Sequence, residues 1–397
     1  MSRTLRIGID ARAASHPQTG GFKAYAEGLI EGLAGLAGAH RFVLLVDRAF
    51  GPKGLPANFE VRVVPAGMKL IGAGFREQVR LPLRLARVGV DVAHFPYNTS
   101  PVWSPGRRVV TVHDLILMQP QSAAAGSPHR RLMNAYSRIF LWWSVRSAQA
   151  IITDSRFSAA ELAARFPRTS GKVHVIPLAA NAVFRPAAPP EAARRVFDAY
   201  GLRPGFVLVI GSADPRKNVA VAVQAYAALT PAARAAHGLV IVLAHADLQA
   251  NLERLCRELG LAAHVTFQIG LSPPALQILY AAAAAFVFPS LYEGFGMPPL
   301  EAMACGVPVI ASNRSAVPEV VGDAALLVNP LETREVAAAL EAVLADADLA
   351  GQMRVRGLKQ AAGYSWASSA RQTLAVYEQA GAPRGGARRQ QPRPPEM

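Results

Sequence analysis

Cysteine is scarce in this chain, which has two, Cys256 and Cys305, among 397 residues. Two cysteines in apolar surroundings are too few for a disulfide framework, so we expect a reducing compartment such as the cytosol. No apolar run approaches the ~20 residues that span a bilayer. The longest, residues 278–288, is rich in alanine and ends at Pro289. The N-terminus enters a strand directly, which predicts no signal peptide.

Acidic residues are scarce in the first half of the chain. Residues 1–190 carry 24 Lys and Arg against 10 Asp and Glu, whereas residues 191–380 carry 14 against 16. Zinc-ligand spacing, a helix-turn-helix and aromatic RNA-binding signatures are also missing, so no nucleic-acid partner is expected. The basic first half instead predicts an anionic partner, such as a membrane surface or a lipid diphosphate.

The chain is long enough for two domains, and its pattern starts twice. A strand over residues 5–10, a loop at Gly20-Gly21 and a helix open the first half, and the fully apolar strand 206–211 opens the second. A strand apolar throughout is typical of a parallel sheet covered on both faces. A proline-rich linker separates the halves. We therefore expect domains over 1–186 and 191–365, a last helix over 366–380 and a disordered basic tail over 381–397.

The most informative stretch is residues 286–330. An apolar strand over 286–288 is followed by the loop Glu293-Gly294-Phe295-Gly296, by a helix that begins near two prolines, and by a second strand over 307–310. A glycine loop that leads from a strand into a helix is the kind of unit whose backbone binds phosphate.

Two carboxylates in this unit have different settings. Glu293 lies in the loop, where the reactive end of a ligand would meet it. Glu301 lies inside the first turns of the helix and could accept hydrogen bonds from a ribose diol. Alternatively, Glu301 is a first-turn carboxylate that the helix dipole favours.

Two adjacent cations, Arg216 and Lys217, follow the strand 206–211 and precede a helix. Arginine grips phosphate oxygens in pairs and lysine adds a compact charge, so this junction is a candidate diphosphate site. A solvated basic turn is the alternative interpretation.

The pattern E-G-F-G-x-P-x-L-E-A-M-A-x-G-x-P-V-I, over residues 293–310, resembles the signature of glycosyltransferase family 4. The resemblance implies an α/β protein of GT-B architecture, with two Rossmann-like doubly wound domains that face a central cleft. It implies that the N-terminal domain binds the acceptor and the C-terminal domain binds a nucleoside diphosphate sugar. It further implies a last helix that crosses back to the N-terminal domain, and sugar transfer with retention of configuration.

The resemblance also implies roles for particular residues. The expected catalytic set is His113, Glu293, Arg216 and Lys217, and the expected donor-binding set is Gly20, Gly21, Gly270, Gly294, Phe295, Gly296, Met297, Leu300 and Glu301. Ser212 stands where many members have arginine, and Arg216 would compensate. For His113 a buried core histidine, and for Gly20 and Gly21 a plain tight turn, stay open.

For substrates, the resemblance favours GDP-mannose over UDP-sugars, with no metal and no cofactor required. The expected acceptor is a saccharide or a polyprenyl-linked saccharide, as in the synthesis of cell-surface polysaccharide or glycolipid. The alternatives are a protein that binds an anionic lipid surface or a nucleotide sugar without transfer, a sugar phosphorylase, or an epimerase.

Two basic segments could bring the protein to the inner face of the cytoplasmic membrane. In residues 67–87, Arg76, Arg80, Arg84 and Arg87 would share one helical face, although Pro82 disfavours an unbroken helix. Residues 130–146 form an amphipathic helix with two tryptophans and four arginines. Both segments could rest on an anionic bilayer, or could be ordinary solvated faces.

Overall fold

The computed structural model describes residues 3–16, 20–36, 38–49, 54–66, 72–119, 128–186, 189–212 and 214–382. Within them the chain forms two parallel β-sheets with helices packed on both. The predicted basic tail, from residue 383 onward, lies outside the described residues, as do residues 67–71 of the first basic segment.

The first sheet has seven strands: β1 (Arg6–Asp10), β2 (Arg41–Val46), β3 (Phe59–Val63), β4 (Val92–Phe95), β5 (Arg107–Thr111), β6 (Ala150–Thr153) and β7 (Val173–Val175). They lie in the order β3-β2-β1-β4-β5-β6-β7, and every pair is parallel. The strand order reverses between β1 and β4, which creates a switch point at the carboxyl ends of those strands.

The second sheet has six strands: β8 (Val207–Gly211), β9 (Leu239–Leu243), β10 (Val265–Ile269), β11 (Ala285–Phe288), β12 (Val309–Ser312) and β13 (Ala325–Val328). Their order is β10-β9-β8-β11-β12-β13, again all parallel. The order repeats that of the first sheet, with a switch point between β8 and β11. The predicted pair of doubly wound sheets is thus confirmed.

Most of the described helices connect successive strands, and the last three follow β13. They are α1 (Gly21–Ala34), α2 (Gly72–Phe75), α3 (Leu81–Val88), α4 (Pro128–Ser147), α5 (Arg156–Arg165), α6 (Pro190–Tyr200), α7 (Val219–Ala227), α8 (Pro231–Ala236), α9 (Gln249–Glu258), α10 (Pro273–Ala282), α11 (Met297–Ala304), α12 (Val317–Val321), α13 (Thr333–Ala345), α14 (Ala347–Ala362) and α15 (Trp366–Gly381).

Helix α15 returns to the first domain, as the resemblance implied. A Cβ at Gly28 or Gly32 of α1 would come within 2.0 or 2.5 Å of atoms of Trp366, so the two glycines form the groove in which α15 packs. Further along α15 the Tyr377 hydroxyl bonds to Nδ1 of the buried His94 at 2.6 Å. The last helix therefore contributes to the core of the first domain and fastens the end of the chain to it.

The predicted basic face over residues 76–87 is wrong in one respect. Arg76 is 1% exposed, and its guanidinium donates to the Asp10 carboxylate at 2.9 Å and to two backbone carbonyls. It therefore holds the carboxyl end of β1 rather than facing a membrane. The helical path is also more continuous than Pro82 suggested. A π-helical turn, Arg76–Arg80, joins α2 to α3, and Pro82 occupies the first turn of α3, where its missing N–H costs little.

Candidate active site

The switch point of the second sheet brings together two segments predicted to bind the donor, the Arg216-Lys217 junction and the loop Glu293-Gly294-Phe295-Gly296. Strand β8 ends at Gly211 and leads to a short 3-10 helix, Pro215–Lys217. Strand β11 ends at Phe288 and leads to the loop before α11. Because β8 and β11 pair in parallel, both loops leave the sheet at the same edge. Ligands of doubly wound sheets bind at this position.

Arg216 and Lys217 meet Glu293 there. Lys217 Nζ donates to a Glu293 carboxylate oxygen at 2.6 Å, and Arg216 Nη1 lies 3.8 Å from the other. Asp214 accepts from Arg216 Nε at 2.7 Å and from its backbone N–H at 3.1 Å, which fixes the guanidinium. The Ser290 hydroxyl also donates to Glu293 at 2.7 Å. The cluster thus places two cations and two carboxylates, all partly or fully buried, at this edge of the sheet.

The loop that carries Glu293 docks against the first domain. The Gly294 carbonyl accepts from the hydroxyls of Ser155 at 2.7 Å and Ser158 at 3.2 Å. A Cβ on Gly294 would lie 2.2 Å from the His113 carbonyl oxygen, so only glycine permits this approach. The Tyr292 hydroxyl also donates to Glu161 on α5. These contacts bring His113 of the first domain beside the cationic cluster of the second.

His113 follows β5 and is 9% exposed. Its Nδ1 lies 2.6 Å from the Asp154 carboxylate, and its Nε2 lies 3.1 Å from the Pro96 carbonyl. Burial opposes a charged imidazole, but the Asp154 carboxylate, together with the Pro96 carbonyl and Asp114, outweighs burial and raises the pKa of His113 above the usual value. Since both ring nitrogens face acceptors, the side chain is held as a double donor. Contact between a ring nitrogen and a sugar would require one of these bonds to break.

Helix α11 begins directly after Gly296, whose φ of 121° favours glycine. Among the described residues, no side chain caps this helix start. Because Pro298 and Pro299 have no N–H, the amides that can point at an anion are those of Gly296 and Met297. This part of the predicted donor site is therefore a backbone site.

Two predicted donor-binding residues have their side chains elsewhere. Phe295 is 5% exposed and Leu300 is fully buried, and both belong to the apolar core shared with the first domain. Phe295 packs edge-on against Tyr364, with ring centroids 5.9 Å apart. Any donor contact at Phe295 and Leu300 is left to the backbone.

Glu301 lies on the first turns of α11 and is partly buried. Burial raises the pKa of Glu301 to about 8. Its nearest described polar partner is the Tyr280 hydroxyl at 3.5 Å. This position is compatible with a ribose acceptor and with a first-turn carboxylate that the helix dipole favours. The helix dipole would favour the ionised carboxylate, which lowers the pKa, whereas burial raises the pKa of Glu301 and favours the neutral form at pH 7. A pair of hydroxyl donors would therefore find an acceptor with spare capacity.

The remaining predicted glycines border open space. No described atom lies within 4 Å of a Cβ built on Gly20, Gly21 or Gly270, and all three are exposed. Gly20 and Gly21 start α1 at the switch point of the first sheet, and Gly270 follows β10. Next to Gly21, the exposed Phe22 ring lies 5.3 Å from the His113 ring.

The sequence did not identify three acidic residues whose partners in the site lie far away in the chain. Asp154 orients His113, and Asp114 lies close enough to Arg216 for that cation to offset part of the burial that raises the Asp114 pKa. Glu319, on α12, accepts from the first backbone N–H of α5 at 2.9 Å. The available signal was an acid near the carboxyl end of a strand, because Asp114 comes three residues after β5 and Asp154 directly after β6.

Comparisons with known proteins identify the family to which this geometry belongs. The family model described as Glycosyl transferases group 1 matches residues 197–360, and the model described as Glycosyltransferase Family 4 matches residues 19–184. O-antigen chain mannosyltransferase B of Escherichia coli is 34% identical over 302 residues, which cover 75% of this chain and 77% of that protein.

Two solved structures share the fold over nearly the whole chain. Sucrose-phosphate synthase from Thermosynechococcus elongatus superposes with a TM-score of 0.73 at 24% identity, covering 95% of this chain and 99% of that one. Anabaena HepE in complex with UDP-glucose superposes with a TM-score of 0.70 at 17% identity, covering 94% and 100%. The chain therefore belongs to glycosyltransferase family 4 and is a glycosyltransferase with two Rossmann-like domains.

Proposed function

We propose that this enzyme transfers a hexose, with mannose preferred, from a nucleoside diphosphate sugar to a saccharide or polyprenyl-linked saccharide in the synthesis of cell-surface polysaccharide. The observation that carries the proposal is the cluster of Arg216, Lys217 and Glu293 beside the start of α11. The relative from Escherichia coli, named a mannosyltransferase of the O-antigen chain, supports the sugar and the product class. The complex of HepE with UDP-glucose supports a nucleotide-sugar donor in this fold.

In this mechanism the negative charge that grows on the departing diphosphate is stabilised by Arg216, Lys217 and the amides of Gly296 and Met297. These groups are held before the reaction begins, so little reorganisation accompanies charge development. Glu293 orients hydroxyls of the hexose, and Glu301 accepts from the ribose. The proposal assigns this chemistry to the protein's own cations and amides, without a metal.

The acceptor would approach from the first domain. Phe22 is 47% exposed beside His113, and an exposed aromatic ring of this kind offers a face on which a sugar ring can pack. The contact of Gly294 with His113 closes the cleft behind the donor and excludes water, which would otherwise hydrolyse it.

A thermal-shift comparison tests the proposal. GDP, UDP and ADP are titrated at low and high salt, followed by transfer assays with GDP-mannose and UDP-glucose. We expect GDP to raise the melting temperature of the protein more than UDP or ADP does, and we expect this shift to persist at high salt. Equal stabilisation by all three nucleotides and by inorganic polyphosphate, lost at high salt, would instead indicate a generic anion binder.

The donor affinity should depend on pH through Glu301. The free carboxyl is mostly protonated below its pKa of about 8, and two ribose donors favour the ionised form. Donor binding therefore releases a proton, so the donor KM should fall as pH rises from ~6 to ~9, by at least about threefold. Tyr280 and Cys305, the other groups next to Glu301, have pKa values raised by burial, that of Cys305 to about 12, and keep their protons in this range.

The matched control is Glu301→Gln, which keeps the shape but does not titrate. Its donor KM should be higher than that of the wild type at pH 9 and flat across the range. An identical pH slope in the wild type and in Glu301→Gln would exclude Glu301 as the group responsible.

A further inference from the structure

Helix α4 lies on the protein surface, but many of the side chains that it exposes to solvent are apolar. Its exposed positions fall on one stripe along the helix, namely Arg131, Leu132, Ala135, Ile139, Trp142, Trp143 and Arg146. Leu132 is 67% exposed, Ile139 64% and Trp142 46%. The opposite side, with Leu141 and Val145 fully buried, packs on the first sheet. The stripe that faces outward is thus apolar, where a solvated helix would be polar.

The apolar stripe continues onto a neighbouring loop. Trp143 Nε1 donates to the Val102 carbonyl at 3.3 Å. Val102 is 49% exposed and Trp103 is 55% exposed. Three tryptophans therefore gather on one side of the first domain. Tryptophan is the residue that collects at the boundary between lipid and water, because its ring is apolar and its N–H is polar.

The charge of this side has one sign. Between residues 92 and 153, Asp114 is the only acidic residue in the sequence, and it lies at the cleft next to Arg216 rather than on the stripe. Arg146 lies over the Trp142 ring at 4.5 Å. A cavity of about 370 Å³ opens at the same helix and is lined by Arg138, Ile139, Trp142, Met118, Phe166 and Arg165. The lining combines two arginines with four apolar side chains. The Arg138 guanidinium is held there by the Leu117 and Gln119 carbonyls, at 2.6 and 3.1 Å.

We infer that α4 and the Val102-Trp103 loop form a face that lies on an anionic phospholipid bilayer, with the tryptophans and Ile139 in the interfacial layer and the arginines on lipid phosphates. Apolar burial and attraction to anionic lipid add in such a face. A second copy of the chain is disfavoured as occupant, because two such basic faces would repel each other. Among the described residues no helix has the length and apolar character to cross a membrane.

The test uses the full chain and vesicles of phosphatidylglycerol mixed with phosphatidylcholine, against vesicles of phosphatidylcholine alone. The variant is Ile139→Ser with Trp142→Ser. The matched control is Leu331→Ser with Val355→Ser, which removes two exposed apolar side chains from the second domain. We expect the vesicle Kd to rise about tenfold in the first double variant and to be unchanged in the second.

Two further readouts distinguish insertion of this face from the adsorption of a basic protein on an anionic surface. Brominated acyl chains should quench the tryptophan fluorescence of the wild type on anionic vesicles, because quenching requires the rings to reach the acyl chains. Arg146→Glu, a change at an exposed position, should weaken binding at low salt without affecting folding. Melting temperature and nucleotide binding should be unchanged in every variant, which keeps this inference independent of the transfer proposal.

Equal vesicle binding by the two double variants, no preference for anionic vesicles, or the absence of quenching would overturn the inference. A change of oligomeric state in the Ile139→Ser, Trp142→Ser variant with unaltered vesicle binding would also overturn it, and would identify the face as an interface between protein chains.

Discussion

We expect the Lys217→Ala variant to transfer sugar about 10²–10³-fold more slowly than the wild type, because it removes a charge aimed at the departing diphosphate. The side chain is 17% exposed and already fixed, with Nζ on Glu293 at 2.6 Å and over the Phe288 ring at 5.2 Å. A preorganised cation of this kind acts mainly in the transition state. The loss should therefore appear in kcat, measured by release of the nucleoside diphosphate, more than in the KM for the donor.

The exposed Lys359 of α14 supplies the matched control. Lys359→Ala removes the same charge from the same domain and should turn over as the wild type does. Glu293→Ala should be as damaging as Lys217→Ala, because it removes both the group that orients the hexose and the anchor of the lysine. Both variants should keep a cooperative unfolding transition. Normal turnover in a folded Lys217→Ala protein would rule out this assignment of the diphosphate site.

The cluster around Lys217 was accessible from sequence for a physical reason. Each of its members closely follows an apolar strand, and parallel strands present their carboxyl ends at one edge of a sheet. Arg216 follows β8 and Glu293 follows β11. The two residues come close together if β8 and β11 are neighbouring strands, and the observed strand order makes them neighbours. The local pattern thus determined which side chains share the edge, although it could not give the 2.6 Å contact itself.

Other features depend on residues that are distant in the chain. The residues next to Arg76 in the sequence predict an exposed cation. The Asp10 carboxylate, 66 positions earlier, accepts from the Arg76 guanidinium and offsets the cost of burying the charge. His113 was identified from its strand end, yet its partner Asp154 comes 41 positions later. Periodicity describes one element at a time, so pairings of this kind appear only when the sheet is assembled.

We expect Gly294→Ala to cause a large loss of activity, because Gly294 lies at the contact between the two domains. The new methyl group would lie 2.2 Å from the His113 carbonyl oxygen and 2.9 Å from Asp114 Cβ. The first of these is a backbone atom just after β5 and cannot rotate away, so the loop and the first domain must separate. Displacement of a reacting group by about 1 Å costs on the order of 10²-fold in rate, and we expect at least this loss in kcat/KM.

Gly351→Ala is the matched control, since Gly351 lies within α14 and no described atom comes within 4 Å of its added Cβ. That variant should keep full activity and gain about 0.5–1 kcal/mol of stability from helix propensity. Gly294→Ala should still bind GDP, because the cations and the start of α11 belong to the second domain alone. Nucleotide binding with lost transfer would locate the defect in closure. Wild-type transfer by Gly294→Ala would mean that the reaction does not require the His113–Gly294 contact, and the closed arrangement of the two domains would then not be the one in which the sugar moves.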